Sequence, residues 1–160
     1  MGQLVHDIGR VQPQALSMEE AVLGAVMLDR EAFGIVCELL RPEHFYLDAH
    51  QHIFRACLDL SNSSSPIDLL TVTEKLNQNG KLAAIGGGYY LVELSNRVAS
   101  AANIEAHARI IAEMHIRREV IRVSTENLQR AYEHGADAFE TLDTAMAGLM
   151  ALPSNKAYFT

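Results

Sequence analysis

The sequence predicts an all-α protein, a globular bundle of short helices followed by a protruding helical hairpin. Apolar residues recur at helical spacing along most of the chain, and the alternation typical of strands is nearly absent. Residues that start and stop helices punctuate the chain at short intervals, and then one long stretch carries neither Pro nor Gly. Several short helices and one long helix are therefore expected.

Length and composition restrict the possible classes of protein. The chain has 160 residues, of which 49% are apolar and 21% are charged, so it can bury a core and is not disordered as a whole. Its longest unbroken apolar run, 21–28, is far shorter than the roughly 20 residues needed to span a bilayer. The first dozen residues also lack the apolar core of a secretion signal. These features predict a cytoplasmic protein.

The cysteines and the net charge exclude further classes. Cys37 and Cys57 lie in apolar helical patterns and form no CxxC pair. Counting alone permits a disulfide, but reduced core thiols are favoured without a sign of export. The net charge of −7 argues against tight nucleic-acid binding by this segment, because phosphate contacts supply most of such affinity.

The first helices are predicted from their caps. Ser17 and Glu20 have the spacing of a capping box and predict a first helix that continues to residue 28. Asp29 is expected to cap a second helix, 31–40. Pro42 ends that helix, because the residue before a proline avoids helical geometry.

Three more helices complete the predicted head. Asp48 opens the third helix, and the Ser-rich run 61–66 breaks it. Asp68 caps the fourth, and Gly80 follows its end. A short fifth helix is expected after the three glycines 86–88.

One long helix is predicted from Ser100 to about His134, with a length on the order of 45 to 50 Å. That length is too great for a compact small domain. Its charged residues change sides midway while an apolar stripe continues, which indicates that its two halves pack against different surfaces. Gly135 ends the helix and Asp137 opens another, so the two helices are expected to form a hairpin.

The apolar stripe of this hairpin predicts an interface. Two helices without a third layer cannot bury such a stripe, so it should meet a second chain or another part of this one. Self-association is the economical solution, and an intramolecular core is the alternative. The candidate subunit-interface residues are Met114, Ile121, Leu128, Tyr132, Phe139, Leu142, Met146 and Leu149.

The sequence contains no recognisable catalytic, cofactor or metal motif. No Glu has a His three positions later, and no two histidines have the four-residue spacing of zinc proteases. The P-loop is absent, because the only Gly-Lys pair, Gly80-Lys81, is followed by Leu82. Glu105, Glu113 and Glu126 each lie four residues before an arginine of the long helix, Arg109, Arg117 and Arg130. This spacing favours a solvated ion-paired face over a nucleic-acid site.

Several blocks of the sequence occur together in a fixed order. They are Glu20-Ala21-Val22-Leu23-Gly24 with Met27-Leu28-Asp29, Pro42-Glu43-His44-Phe45-Tyr46 with His50, Ile53 and Phe54, Pro66-Ile67-Asp68-Leu69, Gly80-Lys81-Leu82 with Ile85-Gly86-Gly87, Tyr90-Leu91 and Glu93-Leu94, and Ser100-Ala101-Ala102-Asn103-Ile104. This set covers about residues 13–150 and resembles the N-terminal domain of the bacterial replicative DNA helicase of the DnaB type. One departure is His107, where the family more often carries Tyr.

The resemblance implies a non-catalytic module for assembly and docking. Family hairpins pair between subunits, and three such dimers form a hexameric ring. Primase and a helicase loader are the implied partners, and DNA is reached only through the complete ring. ATP and Mg²⁺ are expected only in a C-terminal RecA-like motor, which this sequence lacks.

The predicted division of the chain has four parts. They are a flexible N-terminal tail, 1–14, a head, 15–117, a hairpin, 118–152, and the start of a linker to the motor, 153–160. The alternative function is an independent helical adaptor or regulator that shares the helix pattern of the head. A reading frame that continues into a P-loop would favour the helicase, and a stop codon would favour the adaptor.

Overall fold

The computed structural model describes residues 10–97 and 102–152. Within these ranges the chain forms seven α-helices and no strand, which confirms the predicted fold class. The helices are α1 (Leu16–Leu28), α2 (Ala32–Leu39), α3 (Asp48–Asn62), α4 (Leu69–Gln78), α5 (Gly88–Arg97), α6 (Ile104–Ala131) and α7 (Ala138–Met150). A 3₁₀ turn, Pro42–His44, lies between α2 and α3.

The chain divides into two compact units. The unit of residues 15–115 is called the head, and the unit that contains residues 10–14 and 116–152 is called the hairpin unit. Most of the predicted tail and the whole predicted linker, 153–160, lie outside the described residues. Residues 10–14, the last part of that tail, group with the hairpin unit.

Local hydrogen bonds define two of the helix starts. Asp68 accepts hydrogen bonds from the backbone N–H groups of Leu70 and Thr71, both at 2.9 Å. Asp137 accepts one from the Glu140 N–H, also at 2.9 Å. Each carboxylate satisfies helical N–H groups that have no partner within the helix. Both predicted caps are confirmed.

Two other predicted caps are wrong. Helix α1 starts after Ala15, which has no capping side chain, so Ser17 lies inside the first turn. Helix α2 starts after Glu31, and the Asp29 carboxylate accepts the Glu31 N–H at 2.9 Å in the turn before the helix. The side chains of α1 are buried on most sides, and packing contributes more to helix stability than one cap does.

Helix α1 forms the centre of the head. It packs against α2, α3, α4 and α5, and its residues 22–27 are all buried. A surface helix would bury one stripe only. Phe45 and Phe54 add a ring pair with centroids 5.0 Å apart, and Leu91 and Leu94 on α5 are fully buried.

A chain of polar contacts crosses this apolar core. Glu19 on α1 accepts the Tyr46 N–H at 2.6 Å, and its second oxygen lies 2.5 Å from His50 Nδ1 on α3. His50 Nε2 lies 2.6 Å from the Tyr90 hydroxyl on α5. Glu19 and His50 are almost completely buried, and these hydrogen bonds offset the cost of burying them. The Glu19–His50–Tyr90 network therefore ties three helices together.

Removing the hydroxyl at the end of this network should destabilise the head. Tyr90→Phe leaves His50 Nε2 without its partner, and we expect a loss of about 1 to 3 kcal/mol in the free energy of unfolding. The neighbouring Tyr89 is 74% exposed, so Tyr89→Phe is the matched control and should change stability by less than about 0.5 kcal/mol. Urea denaturation followed by circular dichroism measures both. Equal stabilities for the two variants would contradict the assigned role.

The two cysteines lie in different environments and both are free thiols. Cys57 on α3 is completely buried, and burial raises the pKa of its thiol to about 12. Cys37 on α2 is half-buried. The prediction of reduced thiols is confirmed, with Cys57 in the core.

The buried thiol should be unreactive in the folded protein. We expect an aromatic disulfide reagent at pH 8 to label Cys37 readily and Cys57 only after unfolding, because the thiolate is the reactive form. The pKa of Cys57 is raised from 9.0 to about 12 on folding, so its contribution to stability is complete below pH 9 and is lost as the pH rises toward 12. Labelling rates in native buffer and in urea measure the first effect. Rapid labelling of both thiols in native buffer would contradict the assignment.

Candidate interaction surface

Two helices of the hairpin unit touch through small side chains. Val123 on α6 is buried, and a Cβ added at Gly148 on α7 would lie 3.1 Å from Val123 Cγ1. Thr141 and Ala145 precede Gly148 at helical spacing and are half-buried. Small residues let two helices approach closely. The large apolar residues of α7 therefore lie on the sides of this helix that do not contact α6.

The large apolar side chains of the hairpin unit are exposed. On α7 they are spaced by three, four and three residues, which is the pattern of a coiled-coil seam. On and just after α6 the predicted ones begin at Ile121. Their exposed fractions range from 39% to 77%, and they are Ile121, Leu128, Tyr132, Phe139, Leu142, Met146 and Leu149. These seven residues are called the hairpin surface.

Seven of the eight predicted interface residues thus lie together in the hairpin unit. The eighth, Met114, belongs to the head and is half-buried. Val120 and Met150 are also exposed on α6 and α7, at 42% and 79%, and were not predicted. Both are apolar neighbours of predicted positions, which is the signal that could have identified them.

Charged residues on α6 flank the hairpin surface. Arg122 forms ion pairs with Glu119 and Glu126, each at 2.9 Å, and these two carboxylates raise the pKa of its guanidinium. The expected pairing of Glu126 with Arg130 is wrong, because Glu126 bonds Arg122 and Arg130 donates to Asn127 Oδ1. Such exposed pairs contribute little to stability.

The Glu19–His50–Tyr90 network has the order of a catalytic acid, base and nucleophile, but its environment is structural. Burial, with a smaller contribution from Glu20, raises the pKa of Tyr90, so the hydroxyl remains protonated at neutral pH. A nucleophile needs the opposite shift. The local sequence around His50 predicted no partner for this side chain, because its partners lie on α1 and α5.

Among residues 10–97 and 102–152, no group of three His, Cys, Asp or Glu side chains could hold a metal ion. No helix in the same ranges is both long enough and apolar enough to cross a bilayer.

Replacing a helical glycine by alanine favours the helix but adds a methyl group, and comparing Gly34 with Gly148 separates these two effects. Ala is favoured over Gly in a helix by about 1 kcal/mol, and Gly34 on α2 has nothing within 4 Å of an added Cβ. We expect Gly34→Ala to raise the free energy of unfolding, whereas Gly148→Ala should gain nothing because its Cβ presses on Val123. In a Val123→Ala background, Gly148→Ala should become stabilising. A double-mutant cycle in urea measures this coupling, and purely additive effects would exclude the contact.

The chain is similar to a set of known proteins. Residues 11–113 match the family model described as the DnaB-like helicase N-terminal domain. The replicative DNA helicase DnaB of Rhodothermus marinus is 51% identical over 149 residues, which are 93% of this chain and 16% of the relative. DnaB of Geobacillus stearothermophilus is 42% identical over 147 residues, 92% of this chain and 32% of the relative. The replicative DNA helicase DnaC of Bacillus subtilis (strain 168) is 37% identical over 156 residues, 98% of this chain and 34% of that relative. The chain therefore spans about a third or less of the length of these relatives.

Solved structures agree with this match. The N-terminal domain of DnaB helicase from Mycobacterium tuberculosis has a TM-score of 0.83 and 39% identity, with coverage of 88% of this chain and 99% of that one. A DnaB-like replicative helicase, described together with its interactions with primase, has a TM-score of 0.72 and 22% identity. This likeness covers 88% of this chain and 32% of that one. The second likeness shows the fold alone.

Proposed function

The chain belongs to the family of DnaB-like helicase N-terminal domains, and we propose that it serves as the non-catalytic collar domain of a hexameric replicative helicase. In this role it joins subunits and provides a docking surface for primase during DNA replication. The observation that carries the proposal is the exposed apolar hairpin surface. The family assignment favours this function over an independent helical adaptor.

The chemistry of the hairpin surface favours a second copy of the chain as its partner. Large contiguous apolar patches are rare on monomeric proteins and mark interaction sites. The seam of Phe139, Leu142, Met146 and Leu149 has the spacing that packs against another helix. Symmetric dimers bring the same patch of both subunits together, so one apolar surface can cover another. Three such dimers would complete the proposed ring.

The motor activity belongs, in this proposal, to the part of the relatives that this chain does not span. The 160 residues lack a P-loop, so none of them is assigned to ATP or Mg²⁺. DNA would be reached only through the assembled ring, because the net charge of −7 disfavours direct binding. A helicase loader is a second expected partner, and the cytoplasm is the expected compartment because bacterial chromosomes are replicated there.

The mass of the chain in solution tests the proposal directly. We expect light scattering coupled to gel filtration, over a wide concentration range, to show a dimer or a hexamer in equilibrium with smaller species. A strict monomer at the highest concentration would contradict the assignment of the hairpin surface as a subunit interface.

Charges placed on the hairpin surface should weaken self-association. Leu128→Glu or Met146→Glu would bury an unpaired carboxylate at an apolar contact, which costs several kcal/mol, so we expect the dissociation constant to rise by at least about ten-fold. Thr144→Glu is the control, because Thr144 is exposed on α7 about 160° around the helix from Met146. Light scattering measures mass, and circular dichroism checks that helix content is kept. Loss of helix content in the two variants, but not in the control, would place these residues in an intramolecular core.

A further inference from the structure

The end of α4 holds an asparagine directly before a glycine. Asn79-Gly80 is the one Asn-Gly pair in the chain, and both residues are exposed. Gly80 has a φ of 67°, and its N–H donates to the Asn77 carbonyl oxygen at 3.0 Å. The Lys81 N–H donates to the Leu76 carbonyl oxygen at 2.8 Å. These two bonds and the left-handed glycine form a Schellman motif, which satisfies carbonyl groups of the last helical turn.

The side chain of Asn79 has its hydrogen-bond partner on another helix. Its Nδ2 atom lies 3.3 Å from Asp59 Oδ2 on α3. A carboxylate only accepts hydrogen bonds, so the amide donates here. The Asn79 amide and the Gly80 N–H are neighbours in the chain, and in the folded head each of them is bonded to a different group.

An asparagine before a glycine can undergo a reaction that needs no enzyme. The Gly80 nitrogen attacks the Asn79 Cγ atom and transfers its proton through water to the side-chain nitrogen, which departs as ammonia. The product is a cyclic succinimide. Water then adds to one of the two carbonyl groups of the ring and opens it, which gives an aspartate or an isoaspartate at position 79. Glycine favours the attack because it has no Cβ to obstruct the approach of its nitrogen.

We propose that Asn79-Gly80 is a site of spontaneous succinimide formation that the folded head suppresses, and that the product weakens the contact between α3 and α4. The attack requires that both reacting groups leave their present partners, so it occurs when the end of α4 opens. The product carries a new carboxylate beside Asp59 and at the negative end of the helix dipole. An isoaspartate also adds a methylene group to the backbone, which breaks the hydrogen-bond pattern of the Schellman motif. The modified helix end therefore opens more readily than the unmodified one.

Cleavage by hydroxylamine tests the site, because this nucleophile attacks the succinimide and splits the chain after Asn79. We expect cleavage in native buffer to be at least about ten-fold slower than in concentrated urea, since a net hydrogen bond of about 1.4 kcal/mol changes an opening equilibrium ten-fold. Asp59→Ala should speed cleavage in native buffer, with helix content unchanged by circular dichroism, and should leave the rate in urea unchanged. Asn79→Gln is the control and should not be cleaved. Equal rates in native buffer and urea, or no effect of Asp59→Ala, would overturn the protection, and an uncleaved chain in urea would overturn the site.

The stability of a variant that mimics the product tests the consequence. Asn79→Asp should raise the equilibrium constant for unfolding between about two-fold and five-fold, as expected for an exposed pair of like charges. Asn77→Asp is the matched control, because Asn77 is exposed in the last turn of α4 and shares the effect of the helix dipole, whereas the contact with Asp59 belongs to Asn79. Urea denaturation should show a smaller change for the control, and the difference should vanish in an Asp59→Asn background. Equal effects of the two substitutions in the native background would overturn the assigned consequence.

Discussion

The carboxylate of Glu19 lies inside the apolar core of the head, and the surrounding elements must supply its hydrogen bonds. The backbone of Tyr46 and the ring of His50 provide them, and His50 in turn depends on the hydroxyl of Tyr90. A buried polar group without partners costs more than the net gain of an ordinary hydrogen bond. Helices α1, α3 and α5 can therefore pack in few other arrangements without leaving one of these groups unpaired.

The head buries most of its large apolar side chains, whereas the hairpin unit leaves most of its own exposed. In the head, α1 is enclosed by four helices, and seven of its 13 residues are buried in one core. In the hairpin unit, α6 and α7 touch through Val123 and the small residue Gly148. Their large apolar side chains remain exposed, and α7 has no buried residue. Such a unit gains much of its stability only when another surface covers it.

The comparisons with replicative helicases give this exposed surface a context. Family membership is shown by residues 11–113, which include all but the last two residues of the head and end before the hairpin surface begins. The hairpin surface thus depends on the described structure for its assignment.

The sequence by itself determined the features that rest on local chemistry. Asp68 and Asp137 cap helices that follow them directly, Gly80 follows the end of α4 with a positive φ angle, and the exposed residues of α7 follow from helical spacing alone. The predicted end of the long helix at Gly135 is wrong, because α6 already ends at Ala131. Tertiary structure decided the rest. The start of α1 at Ala15 and the partners of His50 depend on groups that are distant in sequence. Spacing alone could not show that Glu126 pairs with Arg122, because Arg122 and Arg130 both lie four residues from it. Local patterns carry no information on which helices meet, because that choice minimises the free energy of the whole core and not of any one segment.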